Sequence, residues 1–174
     1  MNKIIISDAS TLILLQKIDL LDKLTINFEF IIPEEVYREA VIIGKEKKFS
    51  DSYQIENIIK QNLIKVKKIK NIGSINKIIN EFGTAEGETE AIVLFLELKA
   101  NILATDDHKS INVCKAYKIP FMTALTFVLD SHIRKFVTNN GAKKMIEDLS
   151  VYGRYKDELI YQALRYLEDK KWQN

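Results

Sequence analysis

The sequence predicts an α/β fold of three layers, α/β/α, in which helices cover both faces of a central, mostly parallel sheet and a helical extension follows at the C-terminal end. Two observations predict this fold. Short apolar runs rich in Ile and Val alternate with longer segments whose apolar residues recur at helical spacing. The 174 residues, 47% of them hydrophobic, suit one domain, and no low-complexity linker or repeat interrupts them.

The predicted strands are short apolar runs bounded by polar residues or proline. The first is a β-branched run that ends abruptly at Asp8, and the second is stopped by Pro33. A later run ends in Thr105, which is followed by two aspartates. The predicted strands cover residues 3–7, 28–32, 63–66, 101–104 and 119–122.

Helices are predicted between these strands and after the last one. Ser10 is predicted to cap the first helix, while Pro33 and Gly44 are predicted to begin and end another. Gly83 and Gly87 bracket a turn before a helix that is apolar nearly all round, as expected for a helix buried between layers. The predicted helices cover residues 10–16, 20–24, 34–43, 51–61, 86–99, 108–117 and 157–168.

The chain divides into two parts by its pattern. We predict that residues 1–130 form the α/β domain and that residues 131–174 form a helical extension packed on the same domain. In residues 157–168 the apolar residues fall on one side of an amphipathic helix. Trp172 is a candidate interface residue near the end of the extension.

The composition excludes several kinds of chemistry. A single cysteine, Cys114, rules out an internal disulfide and has no plausible His partner for nucleophilic catalysis. Two histidines, His108 and His132, cannot build a His-rich zinc site. No apolar run approaches the roughly 20 residues of a membrane span. The N-terminal apolar run is also too short for a signal peptide, so we expect a cytoplasmic protein without membrane contact.

Basic residues concentrate in one stretch although the formal net charge is only +2. Between Gly44 and Asn71 there are eight lysines against three acids. Such a stretch suits a phosphate backbone, and a solvated, lysine-rich face is the alternative interpretation. The candidate contacts to a nucleic-acid backbone are Lys45, Lys65, Lys67 and Lys68.

Acidic residues lie where functional side chains of parallel sheets gather, just beyond the carboxyl ends of strands. Asp8 follows the first strand, and Asp106 and Asp107 follow a later one. Glu39 and Glu88 lie on predicted helices beside the same edge. Converging carboxylates repel one another unless a hard cation binds them, and Mg²⁺ or Mn²⁺ fits oxygen ligands best. The sequence therefore indicates a metal site that activates water for phosphoryl chemistry.

Each acid also has a purely structural interpretation, as a helix cap, a dipole partner in a first helical turn or a surface residue. Asp8 together with Ser10 could cap the first helix, and Glu88 complements the dipole of its own helix. A phosphatase with Asp8 as nucleophile is a further alternative. Such enzymes carry Asp-x-Asp after the first strand, and here Ser10 stands at the third position.

Four segments together resemble the PIN domains, and within them the short prokaryotic proteins related to VapC-type toxin ribonucleases. The segments are IISDASTLI (5–13), IIPEEVYRE (31–39), GETEAI (87–92) and ILATDD (102–107). The resemblance covers residues 1 to about 125. It implies a metal-dependent ribonuclease that uses Mg²⁺ or Mn²⁺ and cuts RNA.

The resemblance also implies which residues act. It gives the catalytic acids as Asp8, Glu39, Glu88 and Asp107, and the metal ligands as Asp8, Glu88, Asp106 and Asp107. We expect Ser10 and Thr105 to hydrogen-bond the carboxylates and to fix their orientation. Glu88 stands where many relatives carry Asp, and Glu90 is close enough in sequence to compete for its assignment.

Partners and alternatives follow from the same resemblance. RNA is the implied substrate; many relatives are toxins held inactive by a small antitoxin protein, and many form homodimers. A PIN-like fold that binds RNA or protein without cutting is an alternative. The Gly-Glu-x-Glu-Ala run also resembles DNA-directed flap nucleases, which usually need longer insertions than this chain has.

Overall fold

The computed structural model describes residues 3–168, and within them five strands form one parallel sheet. The strands are β1 (Ile4–Ser7), β2 (Glu29–Pro33), β3 (Ile64–Lys67), β4 (Ile102–Ala104) and β5 (Phe121–Met122). Their order across the sheet is β3-β2-β1-β4-β5. Since every neighbouring pair is parallel, all five strands end at one edge, which we call the carboxyl edge.

Helices cover both faces of this sheet. The helices are α1 (Ala9–Lys17), α2 (Leu21–Asn27), α3 (Glu34–Tyr37), α4 (Gly44–Glu46), α5 (Ser50–Lys60), α6 (Ile72–Phe82), α7 (Glu86–Leu98), α8 (His108–Tyr117), α9 (Ala124–Ile133), α10 (Asn139–Tyr152) and α11 (Asp157–Glu168). A π-helical segment, Arg38–Ile43, joins α3 to α4. No described helix has both the length and the apolarity that crossing a membrane requires.

The strand residues alternate between two cores, as the pleat of a sheet requires. Ile6 and Leu103 pack in a core formed with α6, α7 and α8. Ile5 and Phe30 face the other side, where α1, α2, α5, α9, α10 and α11 supply the packing. Helices therefore lie on both faces of a parallel sheet, and the predicted three-layer fold is confirmed.

The helix predicted over residues 34–43 does not stop at Gly44. The chain continues from α3 through the π-helical segment into α4, which Gly44 begins. A Cβ on Gly44 would lie only 2.7 Å from the Cβ of Ser52, so glycine is needed there for close packing against α5. The prediction that Gly44 ends the helix was wrong, because this position requires glycine for the close approach of α5 and not for the end of a helix.

Two further local features differ from the sequence prediction. The cap of α1 is Asp8, whose side chain accepts a hydrogen bond from Thr11 N, so the predicted cap Ser10 lies inside the helix. Helix α6 was not predicted, although its ends carry recognisable signals. Asn71 caps its start, and Gly83 ends it at φ +66°, where a residue without Cβ is favoured.

The helices of the extension share the core of the domain. Ile146, Leu149 and Leu167 are buried in the same cluster as sheet residues Ile5 and Phe30. The boundary predicted between residues 130 and 131 falls within α9, and the division into two parts stays a prediction. Trp172 lies outside the described residues.

Candidate active site

The acidic side chains approach the carboxyl edge from four different elements. Asp8 directly follows β1, and its backbone N–H donates to the carbonyl of Ala104 at the end of neighbouring β4 at 3.1 Å. Asp106 and Asp107 come two and three residues after that alanine. The π-helical segment after β2 and the first turn of α7 supply the remaining acids. Those two acids are Glu39 and Glu88.

Asp8 is a buried carboxylate, 1% exposed. Its Oδ1 accepts hydrogen bonds from Thr11 N at 2.8 Å and from Ser10 Oγ at 3.1 Å. Its Oδ2 is buried with no hydrogen-bond partner among residues 3–168. Burial raises the pKa of Asp8 to about 6; the nearby Thr105 hydroxyl and the donors of Thr11 oppose the rise, and the charge of Asp106 adds to it. An ionised carboxylate in this place needs a counter-charge.

Asp106 is the most extensively hydrogen-bonded of the site carboxylates. Its Oδ2 accepts from the Thr11 hydroxyl at 2.9 Å and from Ala124 N at 3.0 Å. Its Oδ1 accepts from the hydroxyl of Tyr155. Burial raises the pKa of Asp106, and these three donors counteract that rise. The side chain is consequently fixed in one orientation.

Asp107 caps α8 with one of its two carboxylate oxygens. Its Oδ2 accepts from Ser110 N at 2.8 Å, while its own backbone N–H donates to Thr105 Oγ1 at 3.3 Å. Thr105 is fully buried directly after β4, and its hydroxyl also opposes the rise in the Asp8 pKa. The hydroxyls of Ser10 and Thr105 thus both lie within the acidic site.

Glu39 lies against a glycine. A Cβ built on Gly87 would stand 2.8 Å from Oε1 of Glu39 and 3.0 Å from Oε2, so the carboxylate packs on the bare Cα of that residue. Burial raises the pKa of Glu39 and the charge of Glu35 adds to it, whereas Arg38 lowers it. The negative charges of Glu88 and Asp8 raise this pKa further.

The side chains of Glu88 and Glu90 lie in different surroundings. Glu88 accepts from Ala85 N at 2.9 Å, and its pKa is raised by burial and by Asp107 and lowered by Lys109. Glu90 accepts from Glu35 N at 3.2 Å, and the charges that raise its pKa belong to α3 and to the start of α7. Glu88, and not Glu90, is therefore the one that faces the other site acids.

The five acids form a chain of mutual repulsion. The charge of Asp106 raises the pKa of Asp8, and the charge of Asp107 raises the pKa of Glu88. Glu88 and Asp8 together raise the pKa of Glu39. Among residues 3–168, however, no group of three His, Cys, Asp or Glu side chains converges closely enough to hold a metal ion. The donor set fits a hard divalent cation, because it is all oxygen and includes the unpartnered Oδ2 of Asp8. A cation would compete with the cap bonds of Asp8, Glu88 and Asp107.

Comparison with known proteins agrees with this architecture. A family model described as DUF3368, PIN domain, matches residues 4–169. The chain belongs to the PIN domain family. PIN domains have a nuclease-type fold, usually act as nucleases on nucleic acids and typically bind divalent metals. No curated protein and no solved structure matches the chain. The likeness to VapC-type toxins stays a prediction.

The four candidate lysines of the PIN domain have different surroundings. Lys45 forms an ion pair with Glu56 at 2.9 Å and covers the ring of Tyr53 at 5.5 Å. Lys65 pairs at 2.7 Å with Glu29, which begins β2 and so lies at the end of that strand opposite to the acids. These intramolecular pairs make the two lysines less suited to bind a phosphate backbone.

Lys67 and Lys68 are better placed. Lys67 is the last residue of β3, in register with Pro33 at the end of β2, and Lys68 follows it at the carboxyl edge. Both are exposed, and neither forms an ion pair within the part of the chain that the structure describes. One strand, β2, lies between β3 and β1, so these two strands are about 10 Å apart.

Sequence reasoning missed the hydroxyl groups that hold Asp106. Thr11 lies one helical turn after Asp8, so its position on the site side of α1 could have been found from helical spacing. Tyr155 lies 49 residues after Asp106, between α10 and α11, and no local pattern connects the two. Burial and the charge of Asp106 raise the pKa of Tyr155, so the phenol stays protonated and donates.

Proposed function

We propose that this PIN domain is an Mg²⁺- or Mn²⁺-dependent endoribonuclease that hydrolyses phosphodiester bonds in RNA. The observation that carries the proposal is that the acids following β1 and β4, the acid of the π-helical segment and the acid in the first turn of α7 lie toward one edge of the sheet, although no three of them converge closely. Burial raises the pKa values of Asp8, Glu39, Glu88 and Asp106, and neighbouring acids add to the rise for the first three. A buried oxygen of Asp8 has no partner within the described chain. A divalent cation relieves that repulsion.

In this proposal the ligands are Asp8, Glu88, Asp106 and Asp107. Bound there, the cation would supply a water of lowered pKa and neutralise charge on the phosphoryl group. Glu39, held against Gly87, is proposed as the acid that orients the attacking water. Ser10 holds the Asp8 carboxylate by its hydrogen bond to Oδ1, and the Thr105 hydroxyl accepts from the backbone N–H of Asp107.

Lys67 and Lys68 are the lysines that we propose as contacts to the RNA backbone. They lie at the same carboxyl edge of the sheet as the acids, and both residues are exposed. Lys45 and Lys65 are weaker candidates because each already pairs with a glutamate. Of the four lysines that the sequence indicated, the proposal therefore keeps the two at the carboxyl edge.

The test is the cleavage of a mixed RNA pool by the full chain with Mg²⁺ or Mn²⁺, with and without EDTA. Asp8→Asn is the critical variant because Asn keeps the helix cap but removes the charge. Asp19→Asn is the matched control, since Asp19 is exposed beyond the other end of α1 and its positive φ of 55° suits Asn. We expect metal-dependent cutting that Asp8→Asn abolishes and Asp19→Asn retains.

A second candidate function is a PIN module that binds RNA or protein without cutting. The observation that favours it is that Asp8, Glu88 and Asp107 already act as helix caps, and no three acids converge within the described residues. Folded wild-type protein that binds neither Mg²⁺ nor Mn²⁺ and leaves RNA intact would support this candidate. Cleavage of single-stranded DNA or of a phosphate monoester instead of RNA would redirect the proposal to those substrates.

The toxin role is a narrower proposal on the same site. PIN nucleases often pair with antitoxins, so we propose that expression of the wild-type chain arrests bacterial growth and that a small antitoxin protein relieves the arrest. A homodimer is proposed because many members of the subgroup that the sequence resembles form homodimers. Growth that is equal for the wild type and for Asp8→Asn would contradict the toxin role and leave the nuclease proposal intact.

A further inference from the structure

The carboxylate of Asp106 receives hydrogen bonds from three separate parts of the fold. Thr11 belongs to α1, Ala124 begins α9, and Tyr155 lies in the connection between α10 and α11. Thr11 and Ala124 both bond Oδ2, so Tyr155 is the donor that holds Oδ1. Without it, one oxygen of the carboxylate would have no donor among the described residues.

Tyr155 is itself fixed from two sides. Its hydroxyl oxygen accepts a hydrogen bond from Leu125 N at 3.1 Å, which ties it to the first turn of α9. Its ring packs on the backbone of Gly153, where a Cβ would stand only 2.7 Å from ring atom Cδ2. The ring also packs against the core that contains α1 and the sheet. The phenol is thus a rigid donor and not a surface side chain that reaches the site by chance.

We propose that Tyr155 is a positioning residue of the active site, through which the C-terminal extension fixes Asp106 for metal binding and catalysis. The inference rests on the proposed metal-dependent nuclease function. Partners that orient the ligands of a metal typically change affinity or activity by roughly 10- to 100-fold when removed. Asp106 also shares Thr11 with Asp8, because the Thr11 hydroxyl donates to Asp106 Oδ2 and the Thr11 N–H donates to Asp8 Oδ1, so the orientations of the two carboxylates are linked.

Tyr155→Phe tests the proposal because it removes only the hydroxyl and keeps the ring on Gly153. Tyr152→Phe is the matched control in the same segment, since Tyr152 is 52% exposed and its ring lies under the ammonium of Lys17. For both variants we would measure Mn²⁺ affinity, kcat and KM for RNA, and the melting temperature. We expect Tyr155→Phe to lose roughly tenfold in Mn²⁺ affinity and in kcat. KM should stay within about twofold, and Tyr152→Phe should match the wild type.

A double variant shows whether Tyr155 acts through Asp106. If it does, adding Tyr155→Phe to Asp106→Asn should cause less further loss of Mn²⁺ affinity than Tyr155→Phe causes alone. Equal, additive losses in the two backgrounds would overturn the proposal. A lower melting temperature with unchanged Mn²⁺ affinity and kcat would also overturn it, because it would show a merely structural role.

The outcomes separate this inference from the proposed function. If the wild type binds Mn²⁺ but cuts no RNA, the nuclease proposal fails and the affinity ratio between wild type and Tyr155→Phe still decides the role of Tyr155. If the wild type binds no Mn²⁺, both proposals are overturned. Weaker Mn²⁺ binding by Tyr155→Phe, with Tyr152→Phe unaffected, would support the inference in either case.

Discussion

At the scale of single residues, Asp8 shows how the site opposes folding in the absence of a cation. Its pKa is 3.8 when exposed and about 6 in the fold, so the folded state holds the proton more tightly. The stabilisation from the protonated form is complete below the lower pKa and is lost as the pH rises through the folded value. A rise of this size corresponds to about 3 kcal/mol lost at neutral pH.

Replacing Asp8 by Asn should therefore stabilise the metal-free protein. Near pH 7 we expect the free energy of unfolding to rise by about 1–3 kcal/mol, since Asn keeps the cap and carries no charge. Near pH 4 the difference from the wild type should largely disappear. Denaturant unfolding in EDTA at both pH values measures this. A variant that is less stable than the wild type near pH 7 would contradict the electrostatic account of Asp8.

Gly87 makes a second prediction at this scale. Gly87→Ala places a methyl group against the Glu39 carboxylate, so we expect Glu39 to be displaced and RNA cleavage to fall by roughly tenfold or more. Gly73→Ala is the matched control, because Gly73 is also the second residue of its helix, and a Cβ there would meet its nearest atom at 3.7 Å. The measurement is the initial rate of RNA cleavage by both variants. Equal losses of rate in Gly87→Ala and Gly73→Ala would show that the effect is not specific to Glu39.

At the scale of elements, the end of β3 is where we expect the RNA backbone to bind. The double variant Lys67→Ala/Lys68→Ala should lower RNA affinity and reduce the slope of log affinity against log salt by about 1 to 1.5. Lys65→Ala should leave the slope unchanged because Lys65 pairs with Glu29 away from the acids. Filter binding over a range of salt concentrations measures both. An unchanged slope for the double variant would move the RNA path to another face.

The elements also show what the sequence can and cannot specify. The ends of β1 and β4 were predictable because Asp8 and Thr105 end apolar runs, and the parallel-sheet rule then places the acids at one edge. The continuation of the helix through Gly44 was not predictable, because the contact with Ser52 that selects this glycine forms only after α5 packs. Helix α6 was missed although Asn71 and Gly83 mark its ends.

At the scale of the whole molecule, the site depends on contacts that are distant in sequence. Glu39 rests on Gly87, and Asp106 is held by Tyr155 from the extension. Neither contact has a local pattern, so the residue types of the site could be predicted while the way they are held could not. The ion pair between Lys65 and Glu29 likewise joins two neighbouring strands, so no local pattern shows it.

The shared core predicts that the α/β part and the extension unfold together. Ile146, Leu149 and Leu167 pack in the same cluster as Ile5 and Phe30, so neither part has a separate core on that face. Thermal unfolding followed by far-UV and near-UV circular dichroism should give one coincident transition. Two transitions at different temperatures would show that residues 131–174 form an independent unit.

The most direct measurement is a titration of the full chain with Mn²⁺, followed by electron paramagnetic resonance, for the wild type and for Asp8→Asn. Asp8 supplies the buried oxygen without a partner in the described chain, so a cation at the carboxyl edge should depend on it. The account predicts that the wild type binds Mn²⁺ and that Asp8→Asn weakens binding by roughly tenfold or more. Equal binding by the two proteins would contradict a metal site built on these carboxylates.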